Sequence, residues 1–408
     1  MNGKQAFAQR NASIDHLRAL TMLTMIFVND FWKIHGVPRW LEHAAWGEDF
    51  MGLADVVFPC FLFAVGMSIP YAIERRYAKG FSVESTFWHI LSRTFALLVM
   101  GAFVTNSEFR LSPEAPYPIG VYWFLMAIGF VGVWNQYPHP STRKQQLWPL
   151  VGKLIGWAAL LYLAFTFRNP KGGVFGAHWG ILGSIGWTYL VCATVYFFCR
   201  DRLERLAAVW LVFVLICLVN TPLRESYGSE PLFNFPERNF WQGMLGVLHI
   251  GNGALPAFTM GGIVLSVASV RCQEKRPTWR LGVALMVAAG FIALGTVTHQ
   301  FWIVAKIGAT PPWLFYVTGI ATAIYGLLRW LEGRGWTGWL VWIRPAGTAT
   351  LTVYLLPYIY YGMADVTGVV LPDWATHGPM GLLNCFCFAL LVIATAGVLE
   401  RLHVKLKI

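Results

Sequence analysis

Long apolar stretches interrupted by short polar connections run through the whole chain. A bilayer core of about 30 Å needs roughly 20 apolar residues per helix. On that rule the pattern predicts twelve spans: 15–34, 51–73, 86–105, 118–136, 148–167, 180–199, 206–220, 253–270, 281–300, 312–331, 347–364 and 379–400. The fold expected is therefore all-α, a polytopic membrane helix bundle of about 12 transmembrane helices.

The connections differ in character. The termini and alternate loops near 1–18, 74–93, 137–147, 200–205, 271–280, 329–344 and 401–408 carry 22 Lys and Arg residues. The opposite loops carry 8, and Lys153 lies inside a span. Basic residues are retained on the cytoplasmic side, so both termini are expected to be cytoplasmic and the segments 35–50 and 221–252 extracytoplasmic.

Composition agrees with a membrane protein. Hydrophobic residues make up 56% and charged residues 12% of the 408 residues, about half the charged share of roughly 25% usual in soluble proteins. So few charges cannot coat a soluble surface. Disorder, nucleic-acid binding and a secreted disulfide scaffold are excluded, and the net charge of +11 is explained by loop topology. The seven cysteines lie in or beside apolar spans without a CxxC pair, which argues against zinc and structural disulfides. Lys4 and Arg10 precede Asp15 and Arg18 with no h-region and cleavage site between, so the first span reads as a retained helix. The connection at 200–205 is short for a transporter of six plus six helices. No Walker loop, HExxH or GxSxG occurs.

Ionisable groups at membrane depth are costly, so each is a functional candidate. Asp15 and Arg18 share a helical face. Two readings stand for them, a local ion pair and a site where Arg18 meets the phosphates of a cytoplasmic ligand. His43 lies between Trp40 and Trp46, with Asn29, Glu42 and Asp55 close in sequence. A histidine there either anchors the loop at the interface or exchanges protons with an amine or hydroxyl. Asp55 either caps the second span or orients the imidazole. His178, His249 and His299 read as interfacial, and Arg93 and Arg344 as snorkelling residues.

The run Ser13-Ile14-Asp15-His16-Leu17-Arg18-Ala19-Leu20, then Phe27-Val28-Asn29, His43-Ala44-Ala45-Trp46 and Leu53-Ala54-Asp55-Val56-Val57-Phe58-Pro59 resembles heparan-α-glucosaminide N-acetyltransferase and its NagX-like bacterial members. Its opening is similar to the wider acyltransferase-3 type of membrane enzyme. Weaker similarity continues through Trp179–Gly186, Gly253–Gly262, Thr310–Trp313 and Pro345–Tyr354. The resemblance implies one transmembrane acyltransferase domain over 1–408, a core of ten helices, and an inserted pair at 118–167. It implies transfer of acetyl from cytoplasmic acetyl-CoA, a co-substrate used without a metal, to an amino-sugar acceptor beyond the membrane. It carries the catalytic histidine to His43 and its companions to Asn29 and Asp55, while Arg18, Arg93 and Arg344 become candidates for the CoA phosphates. Three departures accompany it: no luminal domain ahead of the first span, no second histidine near Leu355–Tyr358, and the inserted pair. The expected setting is the cell inner membrane, and the sequence allows a homodimer. A secondary transporter of a sugar or similar solute is the alternative function.

Overall fold

The computed structural model describes residues 7, 11–108, 111–137, 143–200, 202–226, 238–247 and 249–408. Lys4, Arg10 and parts of the expected polar connections at 138–142 and 227–237 lie outside the described residues.

Among the described residues, helices dominate and extended pairing is confined to isolated bridges such as His35 with His377. Twelve helices have 16 residues or more: α1 Ala12–Asn29, α2 Leu53–Ala78, α3 Val83–Glu108, α4 Ile119–Trp134, α5 Arg143–Thr166, α6 Gly180–Cys199, α7 Leu203–Asn220, α8 Ala254–Arg271, α9 Pro277–His299, α10 Pro311–Gly333, α11 Thr350–Thr367 and α12 Gly378–Arg401. Each overlaps one apolar stretch predicted from the sequence. Nine of the described helices are long and apolar enough to cross a bilayer; α1, α4 and α11 fall outside that set. The protein is thus an all-helical, multi-pass membrane protein.

The described chain divides into two compact units. The first comprises residues 1–29, 37–91 and 187–341, and it contains α1, α2 and α7 to α10. Its centre is the crossing of α2 and α8, where small residues let two backbones approach closely. A Cβ on Gly66 would stand 1.9 Å from the Thr259 carbonyl oxygen, and one on Gly262 would stand 2.1 Å from that of Phe63. Ser266 Oγ then reaches the Met67 carbonyl at 3.0 Å. Such small-residue contacts and interhelical hydrogen bonds hold membrane helices together where water offers no hydrophobic drive. Arg200 pairs with the buried Glu74 at 2.9 Å. Helix α9 packs along α10.

The second unit comprises residues 30–36, 92–186 and 342–408. There α4 packs against α5 and α11. Asp30 is buried and receives Lys33 at 2.8 Å and the Tyr361 hydroxyl at 2.9 Å. The chain of α3 and of α6 passes from one unit to the other.

Candidate active site

The start of α2 is built around Asp55. Gly52 precedes the helix, and a Cβ there would lie 1.9 Å from the Glu42 carbonyl oxygen. Only glycine allows loop 42–44 to fold over this helix end. Asp55, at the third helical position, accepts from the Gly52 N–H at 3.2 Å, the acidic half of a capping box. The same carboxylate oxygen accepts the Ala44 N–H at 2.9 Å. Its other oxygen lies 2.7 Å from His43 Nδ1.

Pro59 completes the arrangement from four residues onward. A proline has no N–H, so the Asp55 carbonyl loses its helical partner. The indole N–H of Trp313, on α10, takes that place at 2.9 Å. Trp313 is buried, as is the Asp55 side chain at 1% exposure. Asp55 is therefore held through its carboxylate by the Gly52 and Ala44 amides and through its backbone carbonyl by Trp313, while His43 keeps 49% of its side chain exposed.

A third ionisable group joins the pair. Lys306 Nζ stands 3.2 Å from His43 Nδ1, 3.9 Å from Asp55 Oδ1 and 3.4 Å from the Ala54 carbonyl. Burial pushes the Lys306 ammonium below the ordinary lysine value, and the facing Asp55 carboxylate offsets this only in part.

The loop that brings Lys306 here is stitched down by Asp49. Its carboxylate accepts the Val304 N–H at 2.8 Å, meets His299 Nε2 at 2.8 Å and pairs with Arg224 at 2.9 Å. Partial burial raises the Asp49 carboxyl, but the Val304 amide and the His299 and Arg224 contacts outweigh it and hold the group below the usual carboxylate range. On the other side Arg39 donates to the His43 carbonyl at 2.8 Å and pairs with Glu48. His43 thus sits on a braced loop.

The residues singled out from sequence fare differently. His43 and Asp55 are brought into direct contact. Asn29 ends α1 with its side chain exposed, and among the described residues it makes none of the hydrogen bonds of this cluster. Arg18 pairs with Asp15, as the ion-pair reading expects. Arg18 belongs to the first unit, and Arg93 and Arg344 belong to the second. Lys306 and Asp49 are not among the candidates read from the sequence, and Trp313 enters there only as the end of the weaker similarity at Thr310–Trp313. The signal for Lys306 was a single basic residue in the otherwise uncharged connection 301–311.

An exposed imidazole whose Nδ1 faces a buried carboxylate at a helix entrance is the arrangement of a general base, here in a multi-pass membrane protein. Residues 10–133 match the family model for the catalytic region of heparan-alpha-glucosaminide N-acetyltransferase. The resemblance read from residues 13–59 is borne out, and His43, Asn29, Asp55, Arg18 and Arg93 all lie in the matched stretch. The chain is 27% identical over 201 residues to heparan-alpha-glucosaminide N-acetyltransferase of Mus musculus, covering 45% of this chain and 29% of that protein. It is 29% identical over 133 residues to the protein of the same name from Homo sapiens, covering 30% of this chain and 19% of that one. The matched stretch spans less than a third of the length of either curated relative.

Proposed function

We propose that the chain is an acetyl-CoA-dependent N-acetyltransferase of the cell inner membrane, acting on the amino group of a glucosamine-type sugar, with His43 as the general base. The observation that carries this reading is the 2.7 Å contact between His43 Nδ1 and the buried Asp55 carboxylate. When Asp55 accepts the Nδ1 proton, Nε2 is left with the lone pair that can take up a proton. The match over residues 10–133 supplies the reaction class.

The chemistry asked of these residues is limited. An amine near neutral pH is mostly protonated and cannot attack. Once neutral, its nitrogen adds to the thioester carbonyl carbon and loses a proton to Nε2. The C–S bond then breaks, and the thiolate leaves and takes up a proton. Asp55 keeps the imidazole in the productive tautomer and stabilises the imidazolium. Lys306 places a positive charge within 3.9 Å of the Asp55 carboxylate and balances it when His43 is neutral. Asn29 serves as a donor to the developing oxyanion. An acetyl group carried transiently on Nε2 is the two-step variant of the same arrangement.

Arg18, Arg93 and Arg344 are the proposed ligands of the CoA phosphates. The domain reading of one acyltransferase unit over 1–408 with an inserted pair at 118–167, and cytoplasmic termini, belong to the same proposal. The test is acetyl transfer to glucosamine by detergent-purified protein, wild type against His43→Ala. Loss of about 10² to 10⁴ in rate is expected of a missing general base. Wild-type turnover in the variant overturns the assignment. A sugar transporter would show no acetyl-CoA-dependent thermal stabilisation, and that measurement separates the alternative function.

A further inference from the structure

Away from His43, the first unit holds a cavity of about 150 Å³ among α8, α9 and α10. It exists because α9, although joined to α8 by a short turn, packs along α10 instead. Trp279, Arg280 and Val287 of α9 line it, together with Tyr325, Arg329 and Trp330 of α10. Tyr325 is held by Asn11 at 3.3 Å and Ser269 at 3.2 Å, so this wall is fixed.

Two arginines at the wall of one small, largely apolar cavity need an explanation. The buried Nε of Arg280 has no hydrogen-bond partner, and among the described residues Arg280 makes no ion pair. Arg329 reaches Glu332 at 3.3 Å, and Glu332 also accepts from Ser13. Glu332 is thus shared between Arg329 and Ser13, and in the neighbouring turn Arg271 pairs with Glu204 while Lys275 and Arg276 outnumber Glu274, so positive charge remains in excess around the cavity. The balance calls for an anion. Arg280 lies three residues into α9 and Arg329 four residues before the end of α10. At 1.5 Å per residue, both sit about 5 Å inside the helix ends, which is headgroup depth. Trp279 and Val287 at the rim are 47% and 42% exposed on the outer side of a membrane-spanning helix, so the opening faces lipid.

We propose that this cavity binds the phosphate of an anionic phospholipid, with Arg280 and Arg329 as its ligands and the acyl chains lying along the exposed apolar face of α9. The volume equals about five waters at roughly 30 Å³ each. That admits a phosphate and the first carbons of a lipid. A planar guanidinium fork suits a phosphate, and a choline or ethanolamine group would bring an unwanted cation. Free inorganic phosphate would gain nothing from the tryptophan-lined walls.

The experiment titrates full-length protein in detergent micelles with phosphatidylglycerol, phosphatidylcholine, inorganic phosphate or coenzyme A, reading thermal stability and, by native mass spectrometry, bound lipid. Phosphatidylglycerol is expected to stabilise the wild type and remain bound. Arg280→Gln and Arg329→Gln should each bind it about ten- to a hundred-fold more weakly, the loss of one charge-assisted bond. Val287→Trp narrows the opening without touching either arginine and should also abolish the effect. Equal stabilisation by phosphatidylcholine, retained phosphatidylglycerol binding in both arginine variants, or stabilisation by phosphate or coenzyme A that these variants remove would overturn the proposal. No readout depends on acetyl transfer.

Discussion

The indole N–H of Trp313 donates to the backbone carbonyl of Asp55 at 2.9 Å, a carbonyl that Pro59 has left without its helical donor. One residue thus carries both a carboxylate that holds His43 and a backbone oxygen that ties the entrance of α2 to α10. Replacing Trp313 by Phe keeps most of the aromatic volume and removes the donor. The buried carbonyl then goes unpaired, at a cost of about 1–3 kcal/mol. We expect a lower melting temperature together with slower acetyl transfer at unchanged KM for both substrates. A stability loss with full turnover would show that the contact supports the fold alone.

Lys306 gives a pH signature. Its folded value lies below the ordinary 10.5 because of burial. Between those two values the unfolded chain binds more protons than the folded one, so wild-type stability rises with pH across that window. Below the folded value the penalty for burying the ammonium is present in full. Lys306→Met should remove this rise, which melting curves of both proteins over alkaline pH would detect. Parallel curves would mean that Lys306 titrates as an ordinary surface lysine.

Arg18 and Asp15 separate two roles. If Arg18 holds a CoA phosphate, Arg18→Ala raises the KM for acetyl-CoA about ten- to a hundred-fold and leaves that for the amino sugar unchanged, as expected for one charge-assisted hydrogen bond. Arg18→Lys restores it in part, since an ammonium lacks the planar fork. Asp15→Ala, by contrast, leaves the acetyl-CoA KM in place. Matching stability losses in Arg18→Ala and Asp15→Ala without a KM change would move the phosphate site elsewhere.

The topology can be read directly. Single cysteines at Glu42 and Ser82 lie on either side of α2, before and after its 26 residues. A membrane-impermeant thiol reagent should label them from opposite faces of intact vesicles, with Ser82→Cys protected from outside. Labelling of both from one face would show that α2 does not cross.

Much of this protein is legible in its residues because a bilayer reduces folding to a problem of local length and polarity. An apolar stretch must close its backbone hydrogen bonds within itself, so each predicted stretch became a helix, including the Gly-rich Ile119–Trp134. His43 and Asp55 stood out for a related reason, as polar groups twelve residues apart beside a span that tolerates few of them. The rest depended on residues distant in sequence. Lys306 lies 263 residues from His43 and reaches it because Asp49 binds the Val304 amide and His299. Nothing along the chain pairs Trp313 with Pro59, and only the placement of α10 sets its N–H against the carbonyl that Pro59 freed. Nothing in the local sequence marks Gly52, and its necessity appears only where the Glu42 backbone presses against it. Periodicity and hydropathy report what one segment needs from its solvent. Which segment supplies a missing donor or a balancing charge is decided by packing, because those contacts join positions whose separation along the chain carries no pattern.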